Sequence, residues 1–137
     1  MTAPLRLPAR ASWGATVTAL AADAILVVLF AAIGRASHDE GLSLWGVGLT
    51  ALPFLLALVA GWAVSLAWRA PLAPLRAGVP IWLVTVAGGM LLRTLLGQGT
   101  ALPFIIVATL TLLLLLVGWR AVAALVRRRG RIHPPVE

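Results

Sequence analysis

The stretch "ALPFIIVATLTLLLLLVGW", from Ala101 to Trp119, contains no charged residue. As an α-helix it would be about 28 Å long, close to the roughly 30 Å thickness of the hydrocarbon core of a bilayer. Apolar sequence continues beyond Arg120 to about Val126. This stretch therefore predicts a membrane-spanning helix, and it sets the expectation for the rest of the chain.

Three further apolar runs of spanning length precede this one, and Gly- and Pro-bearing segments separate the four. The sequence predicts an all-α membrane protein with helices at about 13–34, 44–68, 79–96 and 101–124. Together they form a four-helix transmembrane domain over 13–126. A cytoplasmic N-terminal segment, 1–12, would precede this domain, and a basic cytoplasmic tail, 127–137, would follow it.

The composition excludes an ordinary water-soluble domain. The chain is 61% hydrophobic and 11% charged, whereas soluble domains are roughly half apolar and a quarter charged. Arg6 and Arg10 before the first run resemble the start of a secretory signal peptide. That run is too long for such a signal and contains Asp23, so we expect a retained first helix. The absence of cysteine excludes disulfides and thiolate metal sites.

The arginines predict the orientation in a cell membrane. In a four-span arrangement, only Arg35 and Arg93 fall on one side, and the other nine arginines fall on the opposite side. Because positively charged residues concentrate on the cytoplasmic side, we expect both termini to be cytoplasmic. The formal net charge of +7 then indicates contact with anionic lipids, at the tail above all, rather than with nucleic acid.

Two motifs occur twice and predict an internal repeat. "TALPF" occupies Thr50 to Phe54 and Thr100 to Phe104, and each copy is followed by Trp-Arg-Ala, at Trp68 to Ala70 and Trp119 to Ala121. The spacing from Thr to Trp corresponds to about 27 to 29 Å of helix, which is one bilayer crossing. We therefore predict two parallel helical hairpin repeats related by an axis along the membrane normal.

Each repeated motif has an expected structural role. The threonines are predicted to cap helix starts, with Pro53 and Pro103 in the first turns. Alternatively, the second helix begins at Leu44 and contains Pro53, and we prefer this second arrangement. The Trp-Arg pairs are predicted to be interface anchors that reach lipid phosphates, at Trp68, Arg69, Trp119 and Arg120.

Several spaced segments resemble one known family. They are "DAILVVLFAAIGRASH" (Asp23 to His38), "PFLLALVAGW" (Pro53 to Trp62), "VTVAGGMLLRTLLGQGTALPF" (Val84 to Phe104) and "GWRA" (Gly118 to Ala121). Together they are similar to domain-of-unknown-function family 3054, small prokaryotic integral membrane proteins without an assigned activity. The resemblance implies the membrane architecture, and it implies neither a substrate nor a mechanism.

Asp23 is the first candidate for a functional residue. It lies about 15 Å along the first helix from Trp13, near the middle of the bilayer, where a carboxylate is costly and by default indicates function. We expect Arg93 to be its partner, with Thr85 on the same polar helix face as Arg93. The alternatives are a structural hydrogen-bond post for Asp23 and snorkelling to the outer headgroups for Arg93.

The loop after the first helix is the second candidate. Ser37, His38 and Asp39 follow Arg35 at the predicted outer face. Adjacent residues cannot normally align as a catalytic triad, so we expect a solvated polar turn, with a cation site as the alternative. No enzymatic, metal-binding or cofactor-binding motif is found in the sequence.

Small residues indicate where helices approach closely. Ala57, Gly61 and Ser65 form a small-xxx-small ridge on the second run, and Gly88 and Gly89 allow the same on the third. Close packing of four helices leaves little room for a pore within one chain. We therefore expect a homo-oligomer if the protein is a channel.

Two functions remain open from the sequence. One is a small channel or transporter subunit for an unknown ion or small molecule, with Asp23 as its polar site. The other is a non-transporting scaffold or accessory subunit in which the Asp/Arg pair is structural. An Asp23 that faces a hydrated cavity would favour transport, and a fully packed ion pair would favour the scaffold.

Overall fold

The computed structural model describes residues 9–132, which are all-helical and contain no strand. Four helices are long and apolar enough to cross a membrane, which indicates a multi-pass membrane protein and confirms the predicted number of spans. Their bounds are α1 Trp13–Ser37, α2 Leu44–Ser65, α3 Pro74–Leu95 and α4 Leu102–Ile132.

The helix starts show which of the predicted caps form. Ser12 caps α1 and Ser43 caps α2 through side-chain hydrogen bonds to backbone N–H groups. Because α2 begins at Leu44 and contains Pro53, the prediction of the longer helix is confirmed, and Thr50 lies too far inside to cap it. Thr100 does not cap α4 either, because α4 begins after Ala101 without a side-chain cap.

The helix ends differ from the predicted ones by more than one residue in four places. α1 continues past the predicted end at 34 to Ser37. α2 ends at Ser65 because Leu66 adopts the left-handed conformation, with a φ of 50°. α3 begins with a π-helical turn at Pro74–Gly78, before the predicted start at 79. α4 contains a second π-helical turn at Leu113–Val117 and continues past the predicted end at 124 to Ile132. Residues 1–8 of the predicted N-terminal segment and 133–137 of the basic tail lie outside the described residues.

The closest helix packing is between α2 and α3, where small residues meet. A Cβ built on Gly61 would lie 3.2 Å from the Cα of Ile81, and one on Gly88 would lie 3.0 Å from the Cβ of Ala57. The prediction of close approach at these glycines is confirmed. Ser65 is not part of this contact through its hydroxyl, which donates to the carbonyl of Gly61 on its own helix.

A cluster of three phenylalanines joins the other helices to this pair. Phe30 of α1 packs edge-to-face on Phe54 of α2, with ring centroids 5.3 Å apart. Phe104 of α4 lies 6.3 Å from both rings. Many outward apolar side chains are exposed, as expected for helices surrounded by lipid. We call the end of the bundle that carries the loops after α1 and α3 the loop end, and the opposite end the terminal end.

Candidate functional site

Asp23 lies inside the bundle and is completely buried. Trp62 of α2 donates its indole N–H to Oδ2 of Asp23 at 2.9 Å, and Trp119 of α4 donates to Oδ1 at 2.9 Å. Both tryptophans thus present an apolar ring to the core and a polar N–H to the carboxylate. Three of the four helices therefore meet at this one side chain.

Arg120 of α4 completes the site as a buried ion pair. Its Nη1 and Nη2 donate to Oδ1 and Oδ2 of Asp23, both at 2.7 Å. This parallel pair of bonds is the strong bidentate geometry of arginine with a carboxylate. The guanidinium also donates to the carbonyls of Pro71 and Leu116 at 2.9 and 2.8 Å, and it lies 4.6 Å from the centroid of the Trp119 ring.

The hydrogen bonds use the full accepting capacity of the carboxylate. Each oxygen of Asp23 accepts two bonds, one from a tryptophan and one from Arg120, and an ionised carboxylate offers about four lone-pair sites. The arrangement can therefore neutralise and fix a buried charge, and it leaves no free lone pair for a cation. We call Asp23, Trp62, Trp119 and Arg120 the ion-pair cluster.

The predicted pairing of Asp23 with Arg93 is corrected by this geometry. Arg93 lies at the loop end, where its hydrogen bonds go to the residues that follow α3. Arg120 was predicted to reach lipid phosphates, but its side chain is fully buried. The signal that points to Arg120 is the apolar sequence that continues after it to about Val126, which is typical of a residue inside a span rather than at its end.

The second predicted anchor pair behaves differently from the first. Trp68 and Arg69 are exposed and lie in a short 3-10 turn after α2. Trp119 is only partly buried, but its indole N–H is bound to Asp23. The two Trp-Arg-Ala triplets therefore lie in different environments. The prediction of an interface anchor is wrong for Arg120, which is buried and bound to Asp23.

Arg93 is held at the end of α3 by the loop that follows it. Its Nη1 donates to Oε1 of Gln98 at 3.2 Å and its Nη2 to the Gln98 carbonyl at 3.0 Å. Its Nε donates to the carbonyl of Gly99 at 3.2 Å, and the guanidinium lies 4.4 Å from the centroid of the Phe104 ring. Snorkelling alone does not describe this residue, because three of its five N–H donors are engaged with the chain.

Arg35 makes the corresponding contacts after α1. Its Nη1 donates to Oε2 of Glu40 at 3.0 Å, its Nη2 to the Glu40 carbonyl at 2.7 Å and its Nε to the Gly41 carbonyl at 3.1 Å. Nη1 also donates to the hydroxyl of Thr50 on α2 at 3.3 Å. Arg35 is therefore a structural part of the loop.

The other residues of the predicted loop site do not form a catalytic arrangement. The hydroxyl of Ser37 donates to the carbonyl of Ile33 on its own helix. His38 and Asp39 are exposed, and Asp39 has a φ of 55°. Within residues 9–132, no group of three His, Asp or Glu side chains is placed to hold a metal ion.

Thr85 lies in the core of the bundle but belongs to neither arginine site. It is completely buried, and its hydroxyl has no hydrogen-bond partner among the described residues. Trp82, three residues before Thr85 on α3, donates its indole N–H to the carbonyl of Thr109 at 2.9 Å. The residues on this face of α3 therefore do not form one polar site. Trp82 contacts α4, Thr85 is buried without a partner among the described residues, and Arg93 binds the loop after α3.

Comparison with known proteins agrees with the resemblance noted in the sequence. Residues 20–123 match the family model described as "Protein of unknown function (DUF3054)". The match covers most of the chain, so the protein belongs to this family. No curated protein and no solved structure gives a match.

Proposed function

We propose that this member of the DUF3054 family is a non-transporting, non-enzymatic membrane scaffold or accessory subunit, held in one arrangement by the ion-pair cluster. The observation that supports this is the state of Asp23, whose two oxygens each accept two hydrogen bonds from the chain. Such a carboxylate is suited to joining helices rather than to binding an ion that must enter and leave.

The connections of the cluster also oppose the motion that transport requires. Arg120 joins α4 to Asp23 on α1 and to Pro71 in the segment between α2 and α3. In many transporters one structural repeat rocks against the other around a central site. Rocking of α1 and α2 against α3 and α4 would break the bidentate pair and leave two buried charges unpaired, which is costly.

A transport function remains the competing hypothesis. It would require Asp23 to exchange its tryptophan and arginine donors for a proton or a cation during each cycle. An Asp that binds a transported ion needs a vacant coordination position, whereas this carboxylate is saturated. We therefore favour the scaffold.

The similar contacts of Arg35 and Arg93 with the loops that follow them support a repeat arrangement. We propose that α1–α2 and α3–α4 are parallel hairpin repeats, with Arg35 and Arg93 at the outer ends of their first helices. The unequal distribution of arginines supports cytoplasmic termini in a cell membrane. The exposed apolar helix faces support contact with lipid and with further copies of the chain in a homo-oligomer.

A flux experiment combined with melting separates the two functions. Full-length protein in liposomes is assayed for movement of ions and small metabolites, and the wild type is compared with Asp23→Asn. The scaffold predicts no protein-dependent flux and a loss of thermal stability for the variant. Flux that disappears in Asp23→Asn while the melting temperature is unchanged would overturn the scaffold.

A further inference from the structure

A cavity of about 500 Å³ opens at the loop end between α1 and α4, away from the ion-pair cluster. Arg35, Arg93 and Gln98 lie where the helices meet the loops, whereas Phe30 and Val107 line the part about one and a half helical turns deeper. The cavity is thus polar and basic at one end and mostly apolar at the other, where Thr111 adds a hydroxyl group. Its volume is in the range of small-molecule sites.

The charge of the cavity favours an anion. The lining contains two arginines and one glutamate, which leaves one net positive charge with His38 neutral. Glu40 forms an ion pair with Arg35, whereas Arg93 makes no ion pair within residues 9–132. The three hydrogen bonds of Arg93 go to neutral oxygens, so two of its five N–H groups remain available.

The start of α4 adds further donors next to Arg93. Ala101, Pro103 and Phe104 line the cavity, and α4 has no side-chain cap. The first helical hydrogen bond of this segment is donated by Ile105, so the N–H groups of Leu102 and Phe104 have no helical partner. The positive end of the helix dipole therefore lies beside the unpaired guanidinium.

We propose that this cavity binds a single-chain amphiphile with a phosphate headgroup. The phosphate is bound by Arg93 and the first turn of α4. The part of the ligand's acyl chain nearest the headgroup lies against Phe30 and Val107. Arginine suits this role because its fork of donors matches the oxygens of a phosphate. A free phosphate ion would leave the apolar part unfilled, and a neutral lipid would supply no charge to the two free N–H groups of Arg93.

The test uses full-length protein in a neutral detergent, with bound lipid measured by native mass spectrometry. The probe is oleoyl lysophosphatidate. It is compared with monooleoylglycerol, which has the same acyl chain without the charge, and with inorganic phosphate, which has no acyl chain.

Two variants of the protein test the two ends of the cavity. Arg93→Gln removes the positive charge, with exposed Arg69→Gln as its control. Gly34→Phe fills the cavity at a position where an added Cβ meets nothing within 4 Å, and Gly48→Phe is an equally open control outside the cavity.

We expect the lysophosphatidate to bind at least about tenfold more tightly than the neutral lipid, because a charged hydrogen bond contributes roughly that factor or more. Arg93→Gln should weaken its binding by about tenfold or more on the same grounds. Gly34→Phe should weaken it clearly because the new ring occupies space that the acyl chain needs, and both controls should bind like the wild type. Melting curves show whether each variant is folded, and Gly34→Phe decides the outcome if Arg93→Gln is not. Equal binding of the neutral lipid, equal binding of phosphate alone, or unchanged binding in Gly34→Phe would overturn the proposal.

Discussion

Arg35 and Arg93 make the same three hydrogen bonds, each to the residues five and six positions further along the chain. The backbones of the two loops also match. Asp39 and Gly97, four positions after the arginines, have φ values of 55° and 68°, and Gly41 and Gly99, six positions after, both have 74°. Each arginine therefore organises a turn of the same conformation, although the turns share few residues.

The first prediction follows from the different side chains at the fifth position. Gln98 makes with Arg93 the contact that Glu40 makes with Arg35, so an amide is sufficient for this bond. We expect Glu40→Gln, at a side chain that is 56% exposed, to change the free energy of unfolding by less than about 1 kcal/mol. Arg35→Ala should cost about 2 kcal/mol or more, because it removes all the bonds to the loop and to Thr50. Thermal unfolding in detergent measures both, and equal losses in the two variants would contradict the shared role.

The second prediction concerns the coupling between Asp23 and Arg120. Removing one member of a buried pair leaves an uncompensated charge and typically costs about 3 to 5 kcal/mol. We expect Asp23→Asn and Arg120→Met each to be strongly destabilising, and the double variant to lose clearly less than the sum. Unfolding of the two single variants and the double variant in detergent provides the cycle.

The chain contains its own control for this cycle. Arg69→Met changes the same Trp-Arg-Ala triplet at an exposed position, where we expect less than about 0.5 kcal/mol. Additive losses for Asp23 and Arg120 would show that the ion pair does not contribute to stability as a unit.

The third prediction tests the contact between Gly89 and Phe54. A Cβ on Gly89 would overlap the Phe54 ring, and both residues are buried. We expect Gly89→Ala to destabilise by about 1 to 3 kcal/mol through overpacking, although alanine is the better helix former. Gly34→Ala, with open space around its Cβ, should be neutral or stabilising. Combining Gly89→Ala with Phe54→Leu should restore part of the loss, and an unchanged loss would place the clash elsewhere.

The fourth prediction concerns orientation in the membrane. The chain contains no native cysteine, so single cysteines can be introduced without background. We expect Ser37→Cys and Leu96→Cys, both at exposed loop-end positions, to react with an impermeant thiol reagent in intact cells. Arg128→Cys, near the end of α4, should react only after the membrane is opened. Reaction of Arg128→Cys in intact cells would reverse the proposed orientation.

The four helices could be predicted because their length and apolar content depend on the bilayer alone. Asp23 could be identified as a central residue for the same reason, since a carboxylate in an apolar run needs a partner. The identity of that partner could not be predicted from height above a membrane boundary. The apolar sequence after Arg120 is a signal in its favour, but only the packing of α1 against α4 shows that Arg120, and not Arg93, contacts Asp23.

The two Trp-Arg-Ala triplets show a second limit of the sequence. The environment of Arg69 follows from Leu66, whose left-handed conformation ends α2 before the triplet. No left-handed residue interrupts α4 before Arg120, so α4 continues past Arg120, whose side chain is buried in the core. The two identical triplets therefore have different roles because the backbone before each one differs. A comparison of the two sequence copies alone does not show this difference.

The π-helical turn at Leu113–Val117 has a consequence for the direction in which the residues after it face. Fourteen residues separate TALPF from Trp119, whereas thirteen separate the first TALPF from Trp68, and a π turn holds one residue more than an α turn. In a regular α-helix one additional residue would rotate everything after it by about 100° around the helix axis, whereas the wider π turn takes up that residue locally. Straightening this turn into a regular α turn would therefore rotate Trp119 and Arg120 away from Asp23, so the buried pair depends on the local winding of α4 as well as on its side chains.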